Sequence, residues 1–147
     1  MKRSVILLLI SLFVTTLSCM ADNITEDTTG NIKINIICNG HHLSATLYNN
    51  TVAKDFAKRL PLTIYMDSYD NALMAYDDMQ PPLKYDSVET RMARKREIFF
   101  YPNLNRLAFS FDNHFALFSM QGIGMINDPT EFLKGVDGTE VTFELKK

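Results

Sequence analysis

From Ile32 the chain alternates apolar and polar positions, with Ile32, Ile34, Ile36 and Cys38 set against Lys33 and Asn35. A period of two buries one face of a strand and leaves the other in water. Asn39-Gly40 follows, the pair of residues tolerant of positive φ that a type I′ turn demands. Leu43, Ala45 and Leu47 then alternate with His42, Ser44, Thr46 and Tyr48. These features predict an antiparallel hairpin.

The period next changes to that of a helix. Val52, Ala53, Phe56, Ala57 and Leu60 recur on one face, Lys54, Asp55, Lys58 and Arg59 fall on the other, Thr51 can cap the start, and Pro61 stops the run. Leu62, Ile64 and Met66 predict a third strand. From Asp67 to Arg96 the pattern fades into Asp, Asn, Tyr and Met with Pro81-Pro82 in the middle. A connection of that length is uncommon in a compact domain and is often functional.

Order returns at Ile98-Phe99-Phe100-Tyr101 and, after Pro102-Asn103-Leu104-Asn105, resumes with Leu107, Phe109 and Phe111 alternating with Ala108 and Ser110, a second hairpin. Asp112-Asn113 predicts a turn before a strand from Phe115 to Met120, and Gly122-Ile123-Gly124 opens the chain to close backbone contact. Asp128-Pro129-Thr130-Glu131 has the form of a capping box before a helix of one or two turns. Val141, Phe143 and Leu145 mark a last strand. Seven or eight short strands with two short helices predict a mainly β domain, a closed barrel or a sandwich, because closure removes exposed strand edges.

The first residues read differently. Lys2 and Arg3 precede an apolar run from Val5 to Val14, and small residues follow before Asp22, the layout of a secretion signal. The run is about half the roughly twenty residues needed to span a bilayer. Two processing routes fit: cleavage after Ala21, or a lipobox-like Leu17-Ser18-Cys19 that would leave a lipidated Cys19. The expected organisation is a signal peptide at 1–21, a flexible tether at 22–31 and a folded domain at 32–147. The expected location is the periplasm or cell envelope, with membrane attachment only through a lipid on Cys19.

Removing 21 of the 147 residues leaves 126, enough for one domain with its own core. The loss of Lys2 and Arg3 takes the balance to 13 basic against 17 acidic groups, a net charge of −4. That charge does not suit a nucleic-acid partner. Cys38 is then the sole cysteine of the domain, so it has no disulfide partner within the chain, and its apolar setting reads as a buried small hydrophobe.

Candidate chemistry is sparse. His41 and His42 point to opposite faces of a strand, no spacing supplies converging metal ligands, and His114 reads as an exposed loop residue. No metal or cofactor is expected. Arg91, Arg94, Lys95 and Arg96 form a basic cluster that reads as a solvated edge or, second, as an anion-binding patch. Gly122-Ile123-Gly124 lacks the rest of a dinucleotide loop. The aromatic strands are apolar in both parities, so one face fills the core and the other packs a covering loop or lines a groove. Phe118, Met120 and Gln121 are the groove candidates.

Several stretches, in their order, resemble the cyclophilin-like fold proteins of bacteria. They are Lys33-Ile34-Asn35-Ile36 with Asn39-Gly40 and Ala45-Thr46-Leu47; Ala53-Lys54-Asp55-Phe56 with Leu60-Pro61-Leu62-Thr63; Glu97 to Pro102 with Leu107-Ala108-Phe109; and Ile123-Gly124-Met125-Ile126. The resemblance runs from about residue 32 to 145 and implies a small closed or partly open antiparallel β-barrel. The isomerase signature of that fold, Phe-His-Arg followed by an aromatic, Met and Gln around a Gly-Gly turn, is not present, and its catalytic arginine has no counterpart. The expectation is a non-catalytic module that binds a peptide segment or small ligand. The alternative is a weak prolyl isomerase in which Arg91 takes over the missing arginine's role.

Overall fold

A computed structural model describes residues 28–75, 77–115 and 118–147. The signal peptide 1–21, Cys19 and most of the tether 22–31 therefore lie outside the described residues.

The first hairpin forms as its alternation requires. β1 (Ile32–Cys38) and β2 (His41–Leu47) pair in antiparallel register from Ile32↔Leu47 to Cys38↔His41. Asn39 and Gly40 turn the chain with φ of 49° and 75°. Helix α1 (Thr51–Ala57) follows, but Asn50 and not Thr51 caps it, its side chain accepting from the Ala53 amide at 2.9 Å. Val52, Ala53, Phe56 and Ala57 are buried, and the Phe56 ring stands edge-on to Phe143 with centroids 5.3 Å apart, so the helix plugs the barrel interior.

β3 (Leu62–Tyr69) runs three residues past the predicted end at Met66 and turns through Asp70, at φ 51°, into β4 (Ala72–Ala75). The alternation misses this hairpin because Asp67, Ser68 and Tyr69 are all exposed, leaving no buried partner row to read. β6 (Glu97–Tyr101) and β7 (Arg106–Ser110) form the second long hairpin. Two short strands, β5 (Met92–Ala93) and β8 (His114–Phe115), pair apart from the barrel. The side chain of His114 lies outside the described part of the structure.

Of the strand predicted from Phe115 to Met120, Phe115 belongs to β8 and residues 116 and 117 lie outside the described residues; β9 (Gln121–Ile126) follows and includes both glycines. A Cβ on Gly124 would lie 2.5 Å from the Thr46 carbonyl oxygen and 2.8 Å from the Leu47 Cα, so β2 and β9 can lie together there only over a glycine. The predicted capping box does not form either. Ser44 donates its amide and hydroxyl to Asp128 Oδ2, at 2.6 and 2.9 Å, which ties that carboxylate to β2. A single 3-10 turn, Glu131–Leu133, remains, its cap Thr130 without a side-chain hydrogen bond. β10 (Thr139–Leu145) ends the chain.

Eight strands close a barrel in the order β1-β10-β3-β4-β7-β6-β9-β2. The inward rows, among them Ile34, Ile36, Cys38, Leu47, Ile98, Phe100, Leu107, Phe109, Val141 and Phe143, fill it with side chains. A second, smaller cluster lies outside the wall, where Ala93, Phe99, Tyr101, Ala108 and Met120 pack together. The apolar outer parity of β6 and β7 is thus covered by the chain on either side of β5 and by the residues leading into β9.

Candidate functional site

A polar gap lies beneath the covering layer. β6 places Glu97, Phe99 and Tyr101 on its outer row; Phe99 and Tyr101 are sealed in the outer cluster, and Glu97 at the head of the row is fully buried with them. A buried carboxylate needs a cation and hydrogen bonds. Arg91, six residues earlier in the covering segment, supplies both: Nη1 donates to Glu97 Oε2 at 2.8 Å and Nη2 donates to Oε1. The Arg94 amide adds a third donor to Oε2 at 3.0 Å. Arg91 also donates from Nε to Glu89 and from Nη1 to the Met92 carbonyl.

Around this pair lies a pocket of about 250 Å³ lined by Tyr48, Asn50, Ser87, Glu89, Arg91, Arg94, Glu97 and Met120-Gln121-Gly122. Four elements, β2, α1, β6 and β9, meet there with the covering segment. Tyr48 stands just past β2, Asn50 caps α1 and donates to the Gly122 carbonyl at 2.9 Å, and β9 contributes Gln121 and Gly122. The covering segment is pinned beside them: Gln121 accepts from the Asp86 amide and donates to its carboxylate, Thr51 donates to Asp86 at 2.9 Å, and Glu89 and Met120 pair through their backbones. A Cβ on Gly122 would lie 2.9 Å from both Glu97 Oε1 and Tyr48 Cε2, so a larger residue there would have to displace these two side chains.

The electrostatics follow from these contacts. Hydrogen bonds to Glu97 and Glu89, together with the charges of these carboxylates, outweigh the desolvation of Arg91 and raise its pKa above the ordinary value. Burial pushes the Tyr48 phenol above its ordinary value, the Glu97 charge adds to that, and Arg94 and Arg91 oppose it. Tyr48 is therefore a neutral donor at physiological pH. Among the described residues, no group of three or more His, Cys, Asp or Glu side chains could hold a metal ion.

The residues singled out in the sequence divide. Arg91, Met120 and Gln121 line the pocket, whereas Phe118 lies outside its lining, 41% exposed and edge-on to Tyr101 at 6.2 Å. The basic cluster is not one solvated edge: Arg91 faces Glu97, Lys95 pairs with Glu131, and Arg96 donates to the Asn127 carbonyl. The reason is a turn at 94–97, where Arg96 has φ 67° and each side chain leaves in its own direction. Glu97 itself, Tyr48, Asn50 and Glu89 were missed. The signal for Glu97 was available, because a carboxylate at the head of an otherwise apolar outer row shares the cover of that row.

Comparison with known proteins agrees with the architecture. The solution structure of a hypothetical protein from Archaeoglobus fulgidus superposes with a TM-score of 0.63 at 16% identity, covering 86% of this chain and all of that one. At that identity the likeness speaks for the fold alone. No curated protein matches the sequence significantly. The sequence profile of a cyclophilin-like family matches residues 36–144, from the middle of β1 to the end of β10. The chain belongs to this cyclophilin-like family.

Proposed function

We propose that the protein is an exported cell-envelope module that binds a peptide segment or a small ligand in the Arg91–Glu97 pocket and does not catalyse prolyl isomerisation. The observation that carries this reading is the saturation of Arg91. Four of the five N–H groups of its guanidinium are engaged, by Glu89, by Met92 and twice by Glu97. A cation wrapped in two carboxylates has little capacity left to polarise a prolyl amide nitrogen, which is the role the isomerase alternative gives it. Met120 and Gln121 still offer a wall against which a bound segment can lie.

A coupled cis/trans assay on a proline peptide tests the choice. No rate enhancement is expected, while titration of the same peptide into ¹⁵N-labelled protein shifts the Gly122 amide signal. Enhancement that disappears in a folded Arg91→Lys variant would establish the isomerase instead. Export rests on the pattern of residues 1–21. Mass spectrometry of the protein recovered from cells is expected to find a chain starting at Asp22, or a lipid-modified Cys19; an intact Met1 leader in the cell-envelope fraction would reject both routes.

A further inference from the structure

Resting on the reading of this pocket as a binding site, we infer that its ligand is a monocarboxylate, anchored by Arg94 with Tyr48 and Ser87 as supporting donors.

The polar groups of the pocket fall into two sets. Arg91, Glu97, Asn50 and Gln121 are occupied by one another, by backbone or by Asp86. The Arg94 guanidinium and the Tyr48 hydroxyl make no hydrogen bond within the described residues, although both line the cavity and Arg94 lies close enough to act on the Tyr48 phenol. The Ser87 hydroxyl accepts a long bond from Gln121, at 3.4 Å, and keeps its own proton to give. What the pocket offers a visitor is therefore donors, led by a planar fork suited to two parallel bonds to a carboxylate.

Charge fixes the valence of that visitor. Arg91 and Arg94 balance Glu89 and Glu97, so the charges lining the pocket cancel and it tolerates one added negative charge better than two. Glu89, whose side chain is 65% exposed, stands at the rim and opposes a dianion such as phosphate. The volume of about 250 Å³ equals roughly eight waters at about 30 Å³ each, room for a single residue or a small organic acid. A peptide C-terminus and a free small acid share this chemistry.

The test is an amide-detected NMR titration of the whole protein with four probes: N-acetyl-trialanine as the free acid, the same peptide as its C-terminal amide, sodium propionate, and inorganic phosphate. The free acid is expected to bind at least about tenfold more tightly than the amide. Arg94→Met removes that ratio, Arg94→Lys restores part of it, and Glu89→Gln increases the affinity. Propionate matching the peptide acid identifies a small acid as the source, and preference for the peptide acid identifies a chain terminus. Equal binding of acid and amide overturns the carboxylate assignment while leaving a binding pocket in place. Phosphate binding as tightly as the acid, or no probe shifting Gly122 at millimolar concentration, overturns it as well. Arg94 is exposed, so its variants fold, and their spectra report this directly.

Discussion

The Glu97 carboxylate is fully buried, and the paired Arg91 guanidinium is what makes that tenable. Removing one partner of such a pair strands the other. Arg91→Ala is expected to cost about 3–5 kcal/mol in denaturant unfolding, and the double replacement Arg91→Met with Glu97→Leu to cost less than Arg91→Ala alone, because no uncompensated charge remains. Equal loss in both variants would mean that the pair contributes by packing and not by charge. At Gly124 the constraint is steric. With backbone atoms 2.5 and 2.8 Å from the added Cβ, Gly124→Ala must push β9 away from β2, and a loss of about 1–3 kcal/mol is expected in the same measurement.

Helix α1 acts as an anchor post for the covering segment. Arg59, just past its end, donates to the carbonyls of Pro81 and Pro82 and to Asp55. Asp55 accepts from the Lys84 amide at 3.0 Å, and Thr51 holds Asp86. Desolvation raises the Asp55 pKa, but the Lys84 amide and the Arg59 guanidinium outweigh it and hold the carboxyl below the ordinary 3.8. A carboxyl depressed in the folded state contributes stability above its unfolded pKa and loses it as pH falls through the folded one. The melting temperatures of the protein and of Asp55→Asn should therefore differ by a constant amount near neutrality and converge below about pH 4. A difference that persists into strong acid would show that the clasp does not depend on ionisation.

How far these elements could be read beforehand follows the same physics. The β1–β2 hairpin and the last strand each keep an alternating buried row, the β6–β7 hairpin is apolar on both faces, and turn residues fix their ends, so they were legible. The β3–β4 hairpin was not, since its outer half is exposed, and neither was β9, whose glycines carry no pattern. The site divides likewise. Met120, Gln121 and Arg91 stood out as unusual residues, but that Arg91 faces Glu97 depends on a turn at Arg96 that no periodicity encodes.

Across the whole molecule, two kinds of wall follow. Each strand of the barrel is hydrogen-bonded to a neighbour on both sides, whereas residues 84–90 are exposed throughout and held by side-chain clasps and one backbone bridge. Hydrogen exchange should report this as slow amides in β1, β2 and β10 and early exchange from 84 to 90, with ligand binding slowing the latter. Uniform protection across both regions would mean that cover and barrel open together.

The barrel is sealed between its first and its last strand, β1 against β10, with Lys146 donating to the Lys33 carbonyl just beyond them. The opening strand therefore keeps one side unpaired until β10 is in place. Before β10 docks the barrel is an open sheet, and closure waits for the barrel strand farthest from β1 in sequence. A message truncated before Thr139 would yield two permanent free edges, on β1 and β3, and with them a template for self-association.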